Sequence, residues 1–113
     1  MQIAERESGS VTILDLSGKI ILGDDSNLLK DKLHSLLHQG KKNLLLNLGQ
    51  VPYVDSAGLG ALVSAYTTVT REGGALKLTN VTKRMQDLLS ITKLLTVFET
   101  FDSEDEAIRS YKS

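Results

Sequence analysis

The spacing of apolar residues changes several times along the chain, and each spacing predicts a different element. Segments 2–7 and 11–17 are rich in residues that favour strands, and residues 8–10, Ser-Gly-Ser, have the length of a hairpin turn. Over about 25–39 five leucines recur on one face of a helix, and Gly40 follows as a stop signal. The first third of the chain therefore predicts a β-hairpin and an amphipathic helix.

The middle of the chain has the pattern of a β-α-β unit. Residues 44–48, Leu-Leu-Leu-Asn-Leu, are almost continuously apolar, which is typical of a strand covered on both faces. After a loop, apolar residues return at helical spacing from Leu59 to Val69, and a strand follows at 75–79. Because such units are almost always right-handed, the second strand is expected to run parallel to the first.

The last third of the chain predicts two further helices. One is expected over about 82–90, and an edge strand is expected over 97–101. Ser103 and Glu106 have the spacing of a capping box, which marks the beginning of a final helix. The predicted fold class is α/β: a mixed four- to five-stranded β-sheet flanked by about four α-helices, most of them on one face.

Length, charge and composition narrow the class of protein. The 113 residues suffice for a single domain over 1–113 with a modest core. The 13 basic and 14 acidic residues nearly cancel, and no basic stripe with aromatic residues is present, so direct nucleic-acid binding is not expected. The sequence has no cysteine, no signal-peptide pattern and no apolar run near the ~20 residues of a membrane span. We therefore expect a cytoplasmic protein that does not contact a membrane.

The segment 54–60, Val-Asp-Ser-Ala-Gly-Leu-Gly, carries the candidate chemistry. It follows the central strand, and Ser56 stands at the beginning of the next helix, where free N–H groups and the helix dipole stabilise a phosphate. Phosphorylation of Ser56 would add about −1.5 to −2 charges beside the carboxylate of Asp55. The alternative role of Ser56 is that of a helix N-cap, and the two roles are compatible.

The helix after Ser56 has an unusual polar side. Its residues opposite the apolar stripe are small and uncharged, where an exposed helix face ordinarily carries Lys and Glu. They are Ala57, Ala61, Ser64, Ala65 and Thr68. We hypothesise that this face docks a partner. Close packing against the helix at 25–39 is the alternative, since small residues also let two helices approach each other.

Other candidate sites are weaker. His34 and His38 have the i, i+4 spacing of a zinc-binding pair, but neither a Glu nor a third ligand stands beside them. Gly58 and Gly60 resemble the start of a dinucleotide fingerprint, but its third glycine position holds Val63. A serine hydrolase would need Gly-x-Ser-x-Gly, which this sequence lacks. We therefore expect no catalytic residue, metal or cofactor.

The sequence resembles the anti-sigma factor antagonists (anti-anti-sigma factors) of the STAS domain family. The resemblance rests on Asp-Ser-Ala-Gly-Leu-Gly at 55–60, on the strand at 44–48 before it and on Gly-Gly-Ala-Leu-Lys-Leu at 73–78 after it. It continues through 88–94, Phe98 and 102–107, and so spans nearly the whole chain. It implies a STAS-like mixed sheet with flanking helices.

The resemblance also implies a function as a partner switch. The unphosphorylated protein would bind an anti-sigma factor with serine kinase activity and thereby free a sigma factor. Phosphorylation of Ser56 would release it, and a PPM-type serine phosphatase would restore it. The protein would be a substrate and not an enzyme. The alternative is a STAS-type sensor or scaffold subunit that acts by nucleotide binding or assembly without routine phosphorylation.

The resemblance assigns roles to residues near Ser56 and also shows one departure. Asp55 matches the acidic neighbour of the acceptor serine, and Gly58 and Gly60 match the turn glycines. Family members often carry an Asp three residues after the glycine that ends the second strand, where this chain has Ile21. Asp24 and Asp25 follow closely and are expected to supply the charge from a rearranged loop.

Overall fold

The computed structural model of the chain describes residues 1–20 and 23–111, apart from the side chains of residues 24–26 and 95. The strands are β1 Gln2–Ser8, β2 Val11–Ser17, β3 Asn43–Gln50, β4 Ala75–Thr79 and β5 Thr100–Phe101. The helices are α1 Asp24–His38, α2 Ser56–Arg71, α3 Lys83–Ile91 and α4 Glu104–Ser110, with a 3-10 turn at Leu94–Thr96. The predicted α/β class is confirmed.

The five strands form one mixed sheet in the order of the chain, β1-β2-β3-β4-β5. β1 and β2 form the predicted antiparallel hairpin, and every other neighbouring pair is parallel. The register aligns Leu14, Leu46 and Leu78 across the three central strands. The β3-α2-β4 segment is thus the predicted β-α-β unit, and its parallel strands end at one edge of the sheet.

The sheet is covered unequally on its two faces. One face packs against α1, α2 and α3 and forms the main core, which includes Leu46, Leu33, Leu62 and Leu89. α4 covers part of the other face, where its Ala107 meets Val11, Ile13 and Leu45. Leu44, Leu46 and Leu48 of β3 therefore point to the main core and Leu45 to the opposite face. All four are fully buried, which explains the almost continuous apolar run of this strand. The expectation of helices mainly on one face is confirmed.

The predicted edge strand at 97–101 is shorter than expected. Only Thr100–Phe101 pairs with β4, because the preceding residues turn inward after Leu94–Thr96. Phe98 is buried there, and its ring meets that of Tyr66 edge to face with the centroids 5.4 Å apart. Burial of this aromatic side chain under α2 competes with strand pairing and prevails. In the described part of the chain, no helix is long and apolar enough to cross a membrane.

Candidate functional site

The N-cap of α2 is Asp55, and the interpretation of Ser56 as the cap is wrong. The Asp55 backbone is extended, and its Oδ1 accepts a hydrogen bond of 2.7 Å from the N–H of Gly58. Ser56 is the first residue of the helix itself. Asp and Ser are both favoured N-cap residues, so the backbone decides between them: the N–H of Asp55 is held by the carbonyl oxygen of Ile20, and Asp55 is the last extended residue before α2.

The Ser56 side chain is exposed beside this cap. Among the described residues, its hydroxyl has no hydrogen-bond partner. The first turn of α2 contains no acidic side chain, and the carboxylate of Asp55 at the cap offsets part of the positive end of the helix dipole. The hydroxyl is therefore open to a modifying enzyme and lies where a phosphate group would be stabilised by backbone N–H groups.

The backbone of Ile20 fixes the loop before α2. The N–H of Ile20 donates to the carbonyl oxygen of Tyr53 at 3.0 Å, and the N–H of Asp55 donates to the carbonyl oxygen of Ile20 at 3.2 Å. A Cβ atom on Gly58 would lie 2.1 Å from that same Ile20 oxygen, so α2 can approach it only with glycine here. At Gly60, by contrast, an added Cβ would meet no described atom within 4 Å outside the adjoining backbone of its own helix.

The small-residue face of α2 divides between the core and the surface. α1 packs against α2, and Ala65 is only 5% exposed in the core that the two helices share. Ala57 and Ala61 are half-buried, whereas Gly60 and Ser64 are exposed. Helix packing, the alternative explanation of this face, thus accounts for Ala65. A docking surface on this face can therefore include only its exposed and half-buried residues.

The acidic residues that were expected to replace the missing Asp are only partly described. Ile21 lies outside the described residues, and so do the side chains of Asp24 and Asp25. The backbone of Asp24 and Asp25 forms the beginning of α1, directly after Gly23. Their contribution to the site stays a prediction.

A cleft of about 380 Å³ opens between the loop before α2 and the helix α3. Asp55 and Ser56 form part of its lining, and its walls are mostly apolar. The apolar wall residues include Tyr53, Leu59, Met85, Leu88 and Ile91. Sequence reasoning missed this cleft. The one feature of the sequence that could have indicated the cleft is Ile91, an apolar residue at the end of α3 that lies three residues after Leu88.

The two histidines lie on α1, and both are exposed. They border a shallow depression together with Leu37, Lys42 and Glu72. Over residues 1–20 and 23–111, no group of three or more His, Asp or Glu side chains is arranged to hold a metal ion.

The fold and the site define a small α/β domain with an exposed serine at the beginning of the helix that follows the central strand. Residues 2–107 match the model of the STAS domain family, and the chain belongs to that family. The anti-sigma-B factor antagonist of Bacillus subtilis (strain 168) is 39% identical over 72 residues. This match covers 64% of the chain and 65% of that relative, a little under two thirds of its length.

Solved structures share the fold over almost the whole chain. An anti-sigma factor antagonist from Mycobacterium paratuberculosis has a TM-score of 0.83 at 16% identity, with 99% of this chain and 94% of that chain covered. The anti-sigma factor antagonist SpoIIAA, in its unphosphorylated form, has a TM-score of 0.75 at 16% identity, with 99% of each chain covered. SpoIIAA in its phosphorylated form has a TM-score of 0.74 at 17% identity, with 97% of this chain and 99% of that chain covered.

Proposed function

We propose that this chain is an anti-sigma factor antagonist that is switched off by phosphorylation of Ser56. The observation that carries the proposal is the exposed Ser56 hydroxyl at the first position of α2, which the Asp55 cap leaves free. The named functions of its relatives support it, because the Bacillus subtilis protein is an anti-sigma-B factor antagonist and SpoIIAA occurs in both phosphorylation states. The chain is then a binding protein and a kinase substrate.

The unphosphorylated surface around Ser56 suits contact with a protein. Ser56, Gly60 and Ser64 are exposed and four residues apart, so they lie above one another on α2 and form a smooth uncharged strip. Ala57 and Ala61 border this strip, and the open space at Gly60 lets a partner approach the helix backbone. In our proposal this strip contacts the anti-sigma factor, and Asp24 and Asp25 add charge near the beginning of α1.

Phosphorylation changes the chemistry of this strip. The phosphate adds about −1.5 to −2 charges at the end of the strip, next to the carboxylate of Asp55. First-turn N–H groups of α2 offset part of this charge and hold the phosphate in place. A partner that packed against neutral Ser56 would then have to desolvate a dianion, so it dissociates. A PPM-type serine phosphatase would remove the phosphate and restore binding.

Incubation with candidate anti-sigma kinases and ATP, followed by intact mass measurement, tests the proposal. The wild-type chain is expected to gain one phosphate and Ser56→Ala none. Ser64→Ala removes the other serine of the strip but keeps a small uncharged side chain there, so it should still gain one phosphate. Absence of phosphate on the wild type with every candidate kinase, or equal phosphorylation of Ser56→Ala, would refute the switch.

A further inference from the structure

The cleft beside Ser56 gathers apolar side chains that the fold leaves in contact with water. Of the residues whose exposure the structure describes, three large apolar ones are exposed: Leu28 at 44%, Tyr53 at 42% and Ile91 at 79%. Tyr53 and Ile91 both line this one cleft, although they are 38 positions apart in sequence. An exposed apolar concavity marks an interaction site more often than scattered apolar side chains do.

The walls of the cleft come from fixed elements. Met85, Leu88 and Ile91 are three residues apart on α3 and therefore share one side of that helix. Leu59 of α2 and Tyr53 of the preceding loop stand opposite them. Met85 and Leu59 belong to the main core, so the cleft is a continuation of the core to the surface.

The charges at the cleft do not favour a strongly charged ligand. Its charged lining residues are Arg84 and Asp87 of α3, which are exposed and carry opposite charges, and Asp55, whose carboxylate accepts a hydrogen bond from the N–H of Gly58. The guanidinium carbon of Arg84 lies 5.8 Å from the centre of the Tyr53 ring, a cation-π contact that positions this ring at the rim. Recognition at the cleft must therefore depend mainly on apolar shape.

We propose that this cleft receives an apolar side chain of the anti-sigma kinase that phosphorylates Ser56. The inference rests on the proposed function and adds a second contact with the kinase to the one along the strip on α2. Asp55 and Ser56 themselves line the cleft, so an enzyme that reaches the Ser56 hydroxyl must also cover the adjoining apolar walls. Insertion of an apolar group there removes Tyr53 and Ile91 from water, which stabilises the complex before any chemistry occurs.

This second contact also affects the release of the kinase after Ser56 is phosphorylated. The phosphate on Ser56 would stand at the rim of the cleft, where the complex excludes water from its apolar contact. Burying a dianion at the edge of a dry contact is costly, so one modification weakens both the cleft and the strip along α2.

The Ile91→Ser variant tests the proposal, with Leu28→Ser as the matched control on α1. Ile91 is 79% exposed, so Ile91→Ser should leave the thermal unfolding midpoint unchanged; Leu28 is 44% exposed, so Leu28→Ser should lower it slightly and serves as the control for phosphorylation and binding. With the kinase identified by the phosphorylation assay, Ile91→Ser is expected to raise both KM for phosphorylation and Kd for the unphosphorylated chain about tenfold. The kcat value and the phosphorylated residue, Ser56, should be unchanged, and Leu28→Ser should be phosphorylated and bound like the wild type.

Several results would overturn the inference. If the wild type is phosphorylated on Ser56 and Ile91→Ser has the same KM and Kd, the cleft is not a kinase contact while the proposed function stands. If the wild type is never phosphorylated, both proposals fail. Concentration-dependent self-association that Ile91→Ser abolishes would assign the cleft to a second copy of the chain. A small apolar molecule in native mass spectra, lost in Ile91→Ser, would assign it to a ligand.

Discussion

The carboxylate of Asp55 accepts a hydrogen bond of 2.7 Å from the N–H of Gly58, whereas Ser56, which lies between them in sequence, takes no part in this cap and is exposed. The two neighbouring residues therefore have different roles. Asp55 accepts a backbone N–H group at the beginning of the helix, while the Ser56 hydroxyl is available for reaction. The contact between Asp55 and Gly58 that begins α2 does not use the Ser56 hydroxyl.

The division of tasks predicts unequal effects of two alanine substitutions. Asp55→Ala should lower the free energy of unfolding by about 1 kcal/mol, because the Gly58 N–H loses its acceptor. Ser56→Ala should change it by less than ~0.5 kcal/mol, since no hydrogen bond is lost. Urea unfolding of both variants measures the difference. Equal losses would show that Ser56 shares the cap.

The two glycines of the motif should respond in opposite directions. Gly58→Ala places a methyl group against the carbonyl oxygen of Ile20 and should lower the free energy of unfolding by about 2 kcal/mol. Gly60→Ala fills open space on an exposed helix position and should raise it by up to ~1 kcal/mol, because alanine favours the helix. Thermal or urea unfolding distinguishes them, and a destabilised Gly60→Ala variant would contradict the open geometry.

Adjacent residues on α2 separate helix packing from partner docking. Ala65→Glu introduces a charge into the core between α1 and α2 and should lower the free energy of unfolding by roughly 3 kcal/mol. Ser64→Glu should leave stability within ~0.5 kcal/mol of the wild type. In a binding assay with the anti-sigma factor, Ser64→Glu should nevertheless weaken the complex. Unchanged binding would remove Ser64 from the proposed contact strip.

The ion pair between Arg6 and Asp15 predicts a loss of stability in acid. Arg6 Nη2 donates to Asp15 Oδ1 at 2.8 Å, and this hydrogen bond holds the pKa of Asp15 below its usual value against the opposing effect of burial. The side chain of Asn47 donates a further bond of 2.9 Å and lowers the pKa in the same direction.

Because the folded pKa of Asp15 lies below the unfolded value near ~3.9, its contribution is present above about pH 4 and is lost as the pH falls through the folded pKa. Asp15→Asn and Arg6→Gln should both flatten the fall of the unfolding free energy between about pH 5 and pH 2. Urea unfolding across this range measures the slope. A slope unchanged in both variants would exclude the pair as a contributor.

Local patterns in the sequence predict most of the elements correctly. The strand at 75–79, the hairpin and the capped final helix depend on side-chain spacing and turn residues within a few positions, and these are visible in one segment at a time. The Ser103 hydroxyl accepts from the N–H of Glu106 at 3.2 Å, as the capping box predicts. The length of β5 was overestimated, because Phe98 is buried against Tyr66 of α2, a helix far away in sequence.

The sequence by itself determined the α/β pattern and marked the Asp55–Ser56 pair, because periodicity, glycines and capping residues act over short stretches of chain. Only the tertiary structure decided which of the two residues caps α2, since that choice depends on where the backbone turns after Val54 and meets Ile20. It also decided that Ala65 is buried while Ser64 is exposed, and that Tyr53 and Ile91 meet at one cleft. Contacts between distant segments leave no regular spacing in the sequence, so they become visible only once the helices have packed on the sheet.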